Sequence, residues 1–268
     1  MSTPSSPLGR ADLSGMVGLF LGVAVVVAGQ KLEGGEVRSL LQPTAAVVVF
    51  GGTFTALLVS FSLTTLKRTA IAIKDAFLVP PAGLRGLVAE LTNLAMRSKR
   101  KGMMSLENFA TETNDKFLGR ALGLATDGMP PEMVRRAMEA ESQLLEDTDD
   151  EAARVLESAA GYAPTLGILG AVLGLIHVME NLAAPSKLGA GIAVAFVATV
   201  YGVGSANLIL MPLAAKIRHH VRLGAMRREM IIESIVGMQQ GIHPRMLEEQ
   251  LEAYLRVHEQ KPAHRKAA

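Results

Sequence analysis

The sequence contains no cysteine in 268 residues. That absence removes a disulfide framework, a thiolate nucleophile and a cysteine-based metal site from consideration. Neither sign of charge dominates: 27 Lys and Arg stand against 25 Asp and Glu, a formal net charge of +2. So small an excess implies no nucleic-acid partner. There is no phosphate-binding glycine loop, no nucleophile elbow and no histidine pair at zinc spacing. The chain therefore lacks the signatures of a soluble enzyme and gives no reason to expect a cofactor. No internal repeat is evident, and no low-complexity tract beyond the polar first ten residues.

What is abundant is apolar surface, and its distribution matters more than its amount. Hydrophobic residues make up 49% of the chain and crowd into four stretches, 13–29, 44–63, 161–179 and 188–215. A hydrocarbon core of about 30 Å needs roughly 20 helical residues to cross it, and each stretch approaches that length with no charged residue until its ends. The fold class expected is all-α, a polytopic membrane protein with four transmembrane helices and a helical cytoplasmic region. Arg10 precedes the first run as in a secretory signal, but the run is long for a signal core and a second span follows, so it is read as retained.

Basic residues orient these spans. Lys67, Arg68, Lys216, Arg218 and Arg222 lie at span ends, and most other Lys and Arg fall in 64–160 and 213–268. The positive-inside rule places both segments in the cytoplasm. The links Lys31 to Arg38 and Ala183 to Lys187 are then external, and with four spans both termini are cytoplasmic. The chain divides into a membrane hairpin at 1–66, a cytoplasmic loop at 67–160, a second hairpin at 161–215 and C-terminal cytoplasmic helices at 216–268.

The loop is too long to be a connector. After Pro80 and Pro81 it reads as helices over 83–97, 105–110, 115–126 and 130–158, with turn signals at Gly102 and Asp127-Gly128. Residues 132–160 contain no Gly or Pro and run into the third span, and 213–236 continue the fourth. A last helix, 244–258, carries Met246, Leu247, Leu251, Tyr254 and Leu255 on one side, an arrangement that packs back on a bundle. From Lys261 the chain reads as disordered.

Glycines recur in every span. Gly167, Gly170 and Gly174 in the third and Gly202 in the fourth suit close helix packing, either within one subunit or against a partner. Pro164 and Pro212 lie within or beside spans, where proline removes a backbone hydrogen bond and bends the helix. Thr199 is one of few hydrogen-bonding groups inside span 4; its hydroxyl either bonds the carbonyl one turn back or lines a water path. No carboxylate lies in the core of any span, Glu180 standing at the outer end of the third beside His177. A proton relay needs a titratable group at depth, so if this chain moves protons a partner must supply it.

In the loop, Lys99, Arg100 and Lys101 precede Gly102, and Glu107 follows. A helix running through 100–107 would place both charges on one face about 10 Å apart, although Gly102 interrupts it. Such a cluster is either a solvated face or a protein contact. The acidic run 146–151 has no histidine partner and reads as an exposed helix face, with no metal site.

Taken together, the motifs resemble the MotA/PomA family, the A subunits of flagellar motor stators within the MotA/TolQ/ExbB superfamily. The resemblance spans about residues 15–256. It rests on Leu32-Glu33-Gly34-Gly35, Val49 to Thr53, Gly102 to Glu107, Asp127-Gly128, Pro164 to Ile168, Gly189 to Ala195 and Gly237 to Pro244. It implies an inner-membrane homopentamer around a dimer of MotB-like B subunits, whose transmembrane aspartate carries the ion. It also implies that Pro164 and Pro212 couple ion passage to motion and that Thr199 faces that aspartate. Ala171 stands where sodium-driven members have threonine, which implies proton drive over a sodium-driven stator. The family's torque pair, which meets the rotor protein FliG, falls on Lys99, with Arg100 beside it, and on Glu107. Energising subunits of the TolQ/ExbB kind are the nearest alternative, but they have three spans and lack the first hairpin. A defence-system motor subunit would carry a long cytoplasmic tail. A passive channel would need no B subunit.

Overall fold

The computed structural model describes residues 13–77, 83–183 and 185–260. The polar first ten residues, the Pro80-Pro81 pair and the tail from Lys261, expected to be disordered, lie outside them. Among the described residues there are helices and turns and no strand. The helices are α1 (Leu13–Leu32), α2 (Pro43–Ala46), α3 (Gly52–Ser60), α4 (Leu63–Asp75), α5 (Leu84–Lys101), α6 (Glu107–Glu112), α7 (Lys116–Thr126), α8 (Pro131–Glu180), α9 (Pro185–Ser205), α10 (Met211–Gln239) and α11 (Pro244–Gln260). Short 3-10 turns cover Val37–Leu40 and Met103–Leu106. Wide turns of π geometry at Val47–Gly51 and Ala206–Leu210 join α2 to α3 and α9 to α10.

Four helical stretches among these residues are long and apolar enough to cross a membrane: Gly15–Leu32, Val37–Ser60, and parts of Pro131–Glu180 and Leu188–Gln239. The second ends three residues earlier than the hydrophobic run implies. Phe61 is extended, and the Ser62 hydroxyl accepts the N–H of Thr65 at 3.1 Å, capping α4. An apolar neighbourhood hides this cap from a reading by hydropathy. The wide turn before Met211-Pro212 has a covalent cause: Pro212 has no N–H to donate to the carbonyl four residues back, and its ring needs room beside that carbonyl.

The chain forms two compact units. One contains the described residues of 83–148 and 221–260, built on a single apolar core. Leu87, Val88, Leu91, Leu94 and Ala95 fall on one face of α5 at helical spacing and are buried. They meet Leu118 and Leu122 of α7, Val134 and Met138 of α8, Ile231, Ile232 and Ile235 of α10, and Leu247 and Leu251 of α11. α11 does pack back on this bundle, against α5. Met246, expected on its inner side, is exposed instead.

Local signals set the ends of these helices. α5 runs four residues beyond the expected 97 and stops at Gly102, whose φ of +81° is open to glycine and strained for other residues. Asp115 caps α7, its carboxylate accepting from the N–H of Phe117 at 3.0 Å and of Leu118 at 3.3 Å. α8 is one helix of 50 residues, continuous as the Gly- and Pro-free stretch 132–160 implies.

The other unit contains the described residues of 13–77 and 149–220. Its interior is rich in small side chains: Ala45, Val49, Ala163, Ala195, Val197, Ala198 and Ala206 are buried, with Leu156, Leu213 and Ile217 the larger residues among them. Large apolar side chains such as Phe20, Val25, Val59, Ile168 and Phe196 point outward. That inversion of the usual globular pattern suits a lipid or subunit surround, where helices associate through close packing rather than through burial from water.

Candidate functional site

The expected span residues converge on the seam between α8 and α9. A Cβ placed on Gly167 would lie 2.9 Å from the carbonyl oxygen of Ala198, and one on Gly170 would lie 2.7 Å from the Cβ of Ala198. A Cβ on Gly174 would lie 2.8 Å from the backbone nitrogen of Ala195, and one on Gly202 would lie 2.5 Å from the carbonyl oxygen of Ala163. Gly167, Gly174 and Gly202 therefore pack helix backbone on helix backbone inside one chain, while Gly170 packs on the side chains of Ala198 and Val48. On the α9 side, a Cβ on Gly191 would lie 2.7 Å from the Val178 side chain and 3.1 Å from the Gly174 carbonyl oxygen. Gly189 and Gly204 meet nothing within 4 Å.

Pro164 sits inside α8 with its Cα 3.1 Å from where a Gly202 Cβ would be, so the proline packs directly on the closest point of the seam. Ala171, half-buried, follows Gly170 on α8. The backbone of Thr199 packs on Gly167 while its side chain faces outward. The Thr199 hydroxyl reaches the carbonyl of Ala195 at 3.4 Å, the long limit of a hydrogen bond, and is left free for a second partner. Around it the surface is apolar, with Ile192, Phe196, Val200 and Val203 all exposed. Pro212 is exposed just past the wide turn.

Sequence reasoning did not assign a role to Tyr201, one turn from Ala198. Its hydroxyl donates to the carbonyl of Leu40 and accepts the N–H of Gln42 at 3.3 Å, and its ring stacks on Phe50 with centroids 5.5 Å apart. The irregular backbone leading into the second span is thereby satisfied by a side chain of the fourth, as a non-aqueous setting requires. A tyrosine well inside an apolar run was the available signal, since its hydroxyl needs a partner. The acidic run 146–151 is also more engaged than expected. Asp150 bridges Arg154 at 3.0 Å and Arg218 at 3.2 Å, Arg218 also holds Glu157, and Glu151 accepts from the Thr65 hydroxyl at 3.3 Å.

The loop charges lie in the other unit. Lys99, Arg100 and Lys101 form the last turn of α5, where cations complement the negative end of the helix dipole. Glu107 opens α6, where an anion is favoured. Gly102 and the 3-10 turn intervene, so Arg100 and Glu107 stand on two helices and the single-face arrangement does not form. All three residues named for rotor contact are exposed. Lys99 donates from Nζ to the carbonyl of Gly241 at 3.4 Å. Among the described residues, Arg100 and Glu107 have no ion-pair partner.

Comparison with known proteins now bears on this arrangement. Residues 16–101 match the motility protein A N-terminal family and residues 109–230 the MotA/TolQ/ExbB proton channel family. The chain belongs to the motility protein A group of the MotA/TolQ/ExbB proton channel family. It is 34% identical to the uncharacterized protein YtxD of Bacillus subtilis over 245 residues, 90% of each chain. It is 32% identical to motility protein A of Treponema pallidum, over 91% of this chain and 94% of that one. The structure of the flagellar MotAB stator complex from Bacillus subtilis superimposes with a TM-score of 0.83 at 28% identity, covering 90% of this chain and 95% of that chain. Membership in this family agrees with the four apolar helices and places the chain in a membrane.

Proposed function

We propose that this stator A subunit passes protons along the outer face of the α8–α9 seam and converts their passage into a push on the rotor through α5 and α6. As a flagellar stator A subunit it forms a proton channel and works with a MotB partner. The observation that carries the mechanism is Thr199: an exposed hydroxyl on an apolar face, backed by the tightest helix packing in its unit, in spans with no carboxylate of their own. In this reading the partner's transmembrane aspartate takes the proton beside Thr199. Five A subunits surround two B subunits in the inner membrane, with both A-subunit termini in the cytoplasm.

Protonation removes a charge from a nearly dry interface, and the smooth glycine-lined seam then shifts between packings. A proton crossing about 150 mV releases about 3.5 kcal/mol, enough to bias such a step. Pro164, at the closest point of the seam, and Pro212, beside the wide turn, are the points at which the helices bend. Ala171 keeps its place on α8 free of a hydroxyl that would favour a dehydrated sodium ion. At the rotor, Arg100 and Glu107 offer unpaired charges to FliG, whereas Lys99 is partly committed to the Gly241 carbonyl. Arg100 therefore takes the larger share of the contact.

Single-motor speed tests this reading, with sodium varied at fixed proton-motive force and then the reverse. Speed that follows the proton gradient supports the assignment of Ala171, and speed that follows sodium overturns it. Pro164→Leu should abolish proton flux while the complex still assembles; unaltered motility would remove the role given to that proline.

A further inference from the structure

α4 leaves the line of the span it follows. Ser60, the last residue of α3, stands beside Tyr162 of α8 with the two hydroxyls 3.0 Å apart, and after the extended Phe61 the chain turns into α4. Near the start of α4 the buried Thr65 donates from its hydroxyl to the Glu151 carboxylate of α8 at 3.3 Å. Just past its end the Phe77 ring receives the Lys216 ammonium of α10, 5.2 Å from the ring centroid. These two anchors stand within about two helical turns of one height, because Arg218, on the same turn as Lys216, bridges Asp150 and Glu157 of α8. A helix that covers about 18 Å between Thr65 and Phe77 and is held at one height at both ends runs across α8 and α10, not alongside them. That height is where the charged part of α8 gives way to the apolar run that begins at 161. α4 therefore lies along the membrane surface.

Its two faces differ. Thr65, Thr69 and Ala76 are buried. The opposite stripe carries Leu63, Lys67, Ala70, Ile71 and Lys74 at helical spacing, and all five are exposed, Leu63 by 66% and Ile71 by 60%. Among the described residues neither lysine forms an ion pair, nor does Arg68 on the flank. Asp75 is the one acid on α4, and it shares the flank of Arg68, off the stripe. Exposed aliphatics interleaved with unpaired lysines match the boundary between acyl chains and phosphates. We propose that this stripe binds the headgroups of anionic phospholipids. Leu63 and Ile71 dip into the acyl boundary, while Lys67 and Lys74, about 10 Å apart, extend their ammonium groups to the phosphates of neighbouring lipids. The assignment needs the membrane location of the chain but neither its ion pathway nor its rotor contact.

Because the chain has no cysteine, Thr64→Cys, at an exposed position beside the stripe, accepts a single bimane label. The labelled full chain is purified with a cysteine-free B subunit and placed in phosphatidylcholine vesicles. Its fluorescence is then quenched with brominated phosphatidylglycerol or brominated phosphatidylcholine, a readout that involves no proton flow. Both lipids should quench, with phosphatidylglycerol preferred about fivefold or more, and high salt should shrink that preference. Lys67→Gln combined with Lys74→Gln should bring the preference to within about twofold and leave quenching by brominated phosphatidylcholine intact. Leu63→Gln combined with Ile71→Gln should roughly halve quenching by both lipids. Lys116→Gln, which removes an exposed lysine from α7, should leave the preference unchanged. The proposal is overturned by absence of quenching with either lipid, which would put α4 in water or against another subunit. It is equally overturned by equal quenching, by a preference retained in the double lysine variant, or by one lost in Lys116→Gln.

Discussion

Replacing Gly202 and Gly204 by alanine, one at a time, separates seam packing from the general behaviour of glycine in a span. The two positions are two residues apart near the end of α9 and differ in what an added methyl group meets. At Gly202 it would lie 2.5 Å from the carbonyl oxygen of Ala163 and 3.1 Å from the Cα atoms of Gly167 and Pro164. All three are backbone atoms, so no side chain can rotate away. Carbon-to-oxygen contacts settle near 3.3 Å or beyond, so α9 must retreat from α8 by about 0.8 Å at this point. Overpacking of this kind costs about 1–3 kcal/mol, reduced by the roughly 0.8–1 kcal/mol that alanine gains over glycine in a helix. At Gly204 nothing lies within 4 Å, and only the gain applies.

The variants should therefore differ by about 2 kcal/mol, which for a chain of this size is about 4–8 °C in melting temperature. Circular dichroism at 222 nm on the purified complex reads the difference, with Gly202→Ala melting below the parent and Gly204→Ala at or above it. Motility should follow the same order. Equal melting of the two variants would refute the view that the α8–α9 seam is closed by backbone contact at Gly202.

Other perturbations test other links. Tyr201→Phe deprives the Leu40 carbonyl and the Gln42 N–H of their shared partner; a loss of about 1–3 kcal/mol is expected, visible as faster hydrogen exchange at Gln42. Unchanged exchange there would refute the tie. Arg100→Ala should cut torque in a bead assay more than Lys99→Ala, and neither should change the amount of assembled stator. Burial first, and then the charge of Glu233, raise the Glu229 carboxyl above the usual range, against the lowering effect of Arg135. The folded state then binds this proton more tightly than the unfolded chain, so ionisation costs stability as pH rises from the ordinary carboxylate value through the raised one. Glu229→Gln should accordingly raise the melting temperature by about 1–2 °C at pH 8. That gain should vanish near pH 4, and a pH-independent effect would exclude this origin. Arg218→Gln removes a partly exposed bridge to Asp150 and Glu157, with an expected loss of about 0.5–1 kcal/mol that shrinks in high salt.

Much of this architecture is written locally. Four spans follow from the absence of charge over lengths that match a bilayer, and nothing distant is needed to see them. The stop at Gly102, the cap at Asp115 and the turn at Gly128 are likewise settled by the conformational freedom or hydrogen-bonding reach of one residue. The uninterrupted helix α8 follows from a long run without breakers. Where the sequence misled, the reason was equally local: Ser62 caps a helix from within an apolar neighbourhood, and Met246 shares a helical face with residues that are buried although it stands at that face's edge.

Tertiary structure alone decided which of several like residues matter. Gly202 and Gly204 are indistinguishable by type and setting, yet one touches Ala163 and the other touches nothing, because only the path of the neighbouring helix tells them apart. Lys99 and Arg100 are adjacent cations, yet the carbonyl of Gly241 reaches only the first. Thr92 and Arg245, far apart along the chain, line one cleft between α5 and α11. Sequence thus determined where helices begin, end and cross a membrane, since those depend on neighbours along the chain. The fold determined which faces meet and which polar groups are left without partners, since those depend on distances in space that no run of residues encodes.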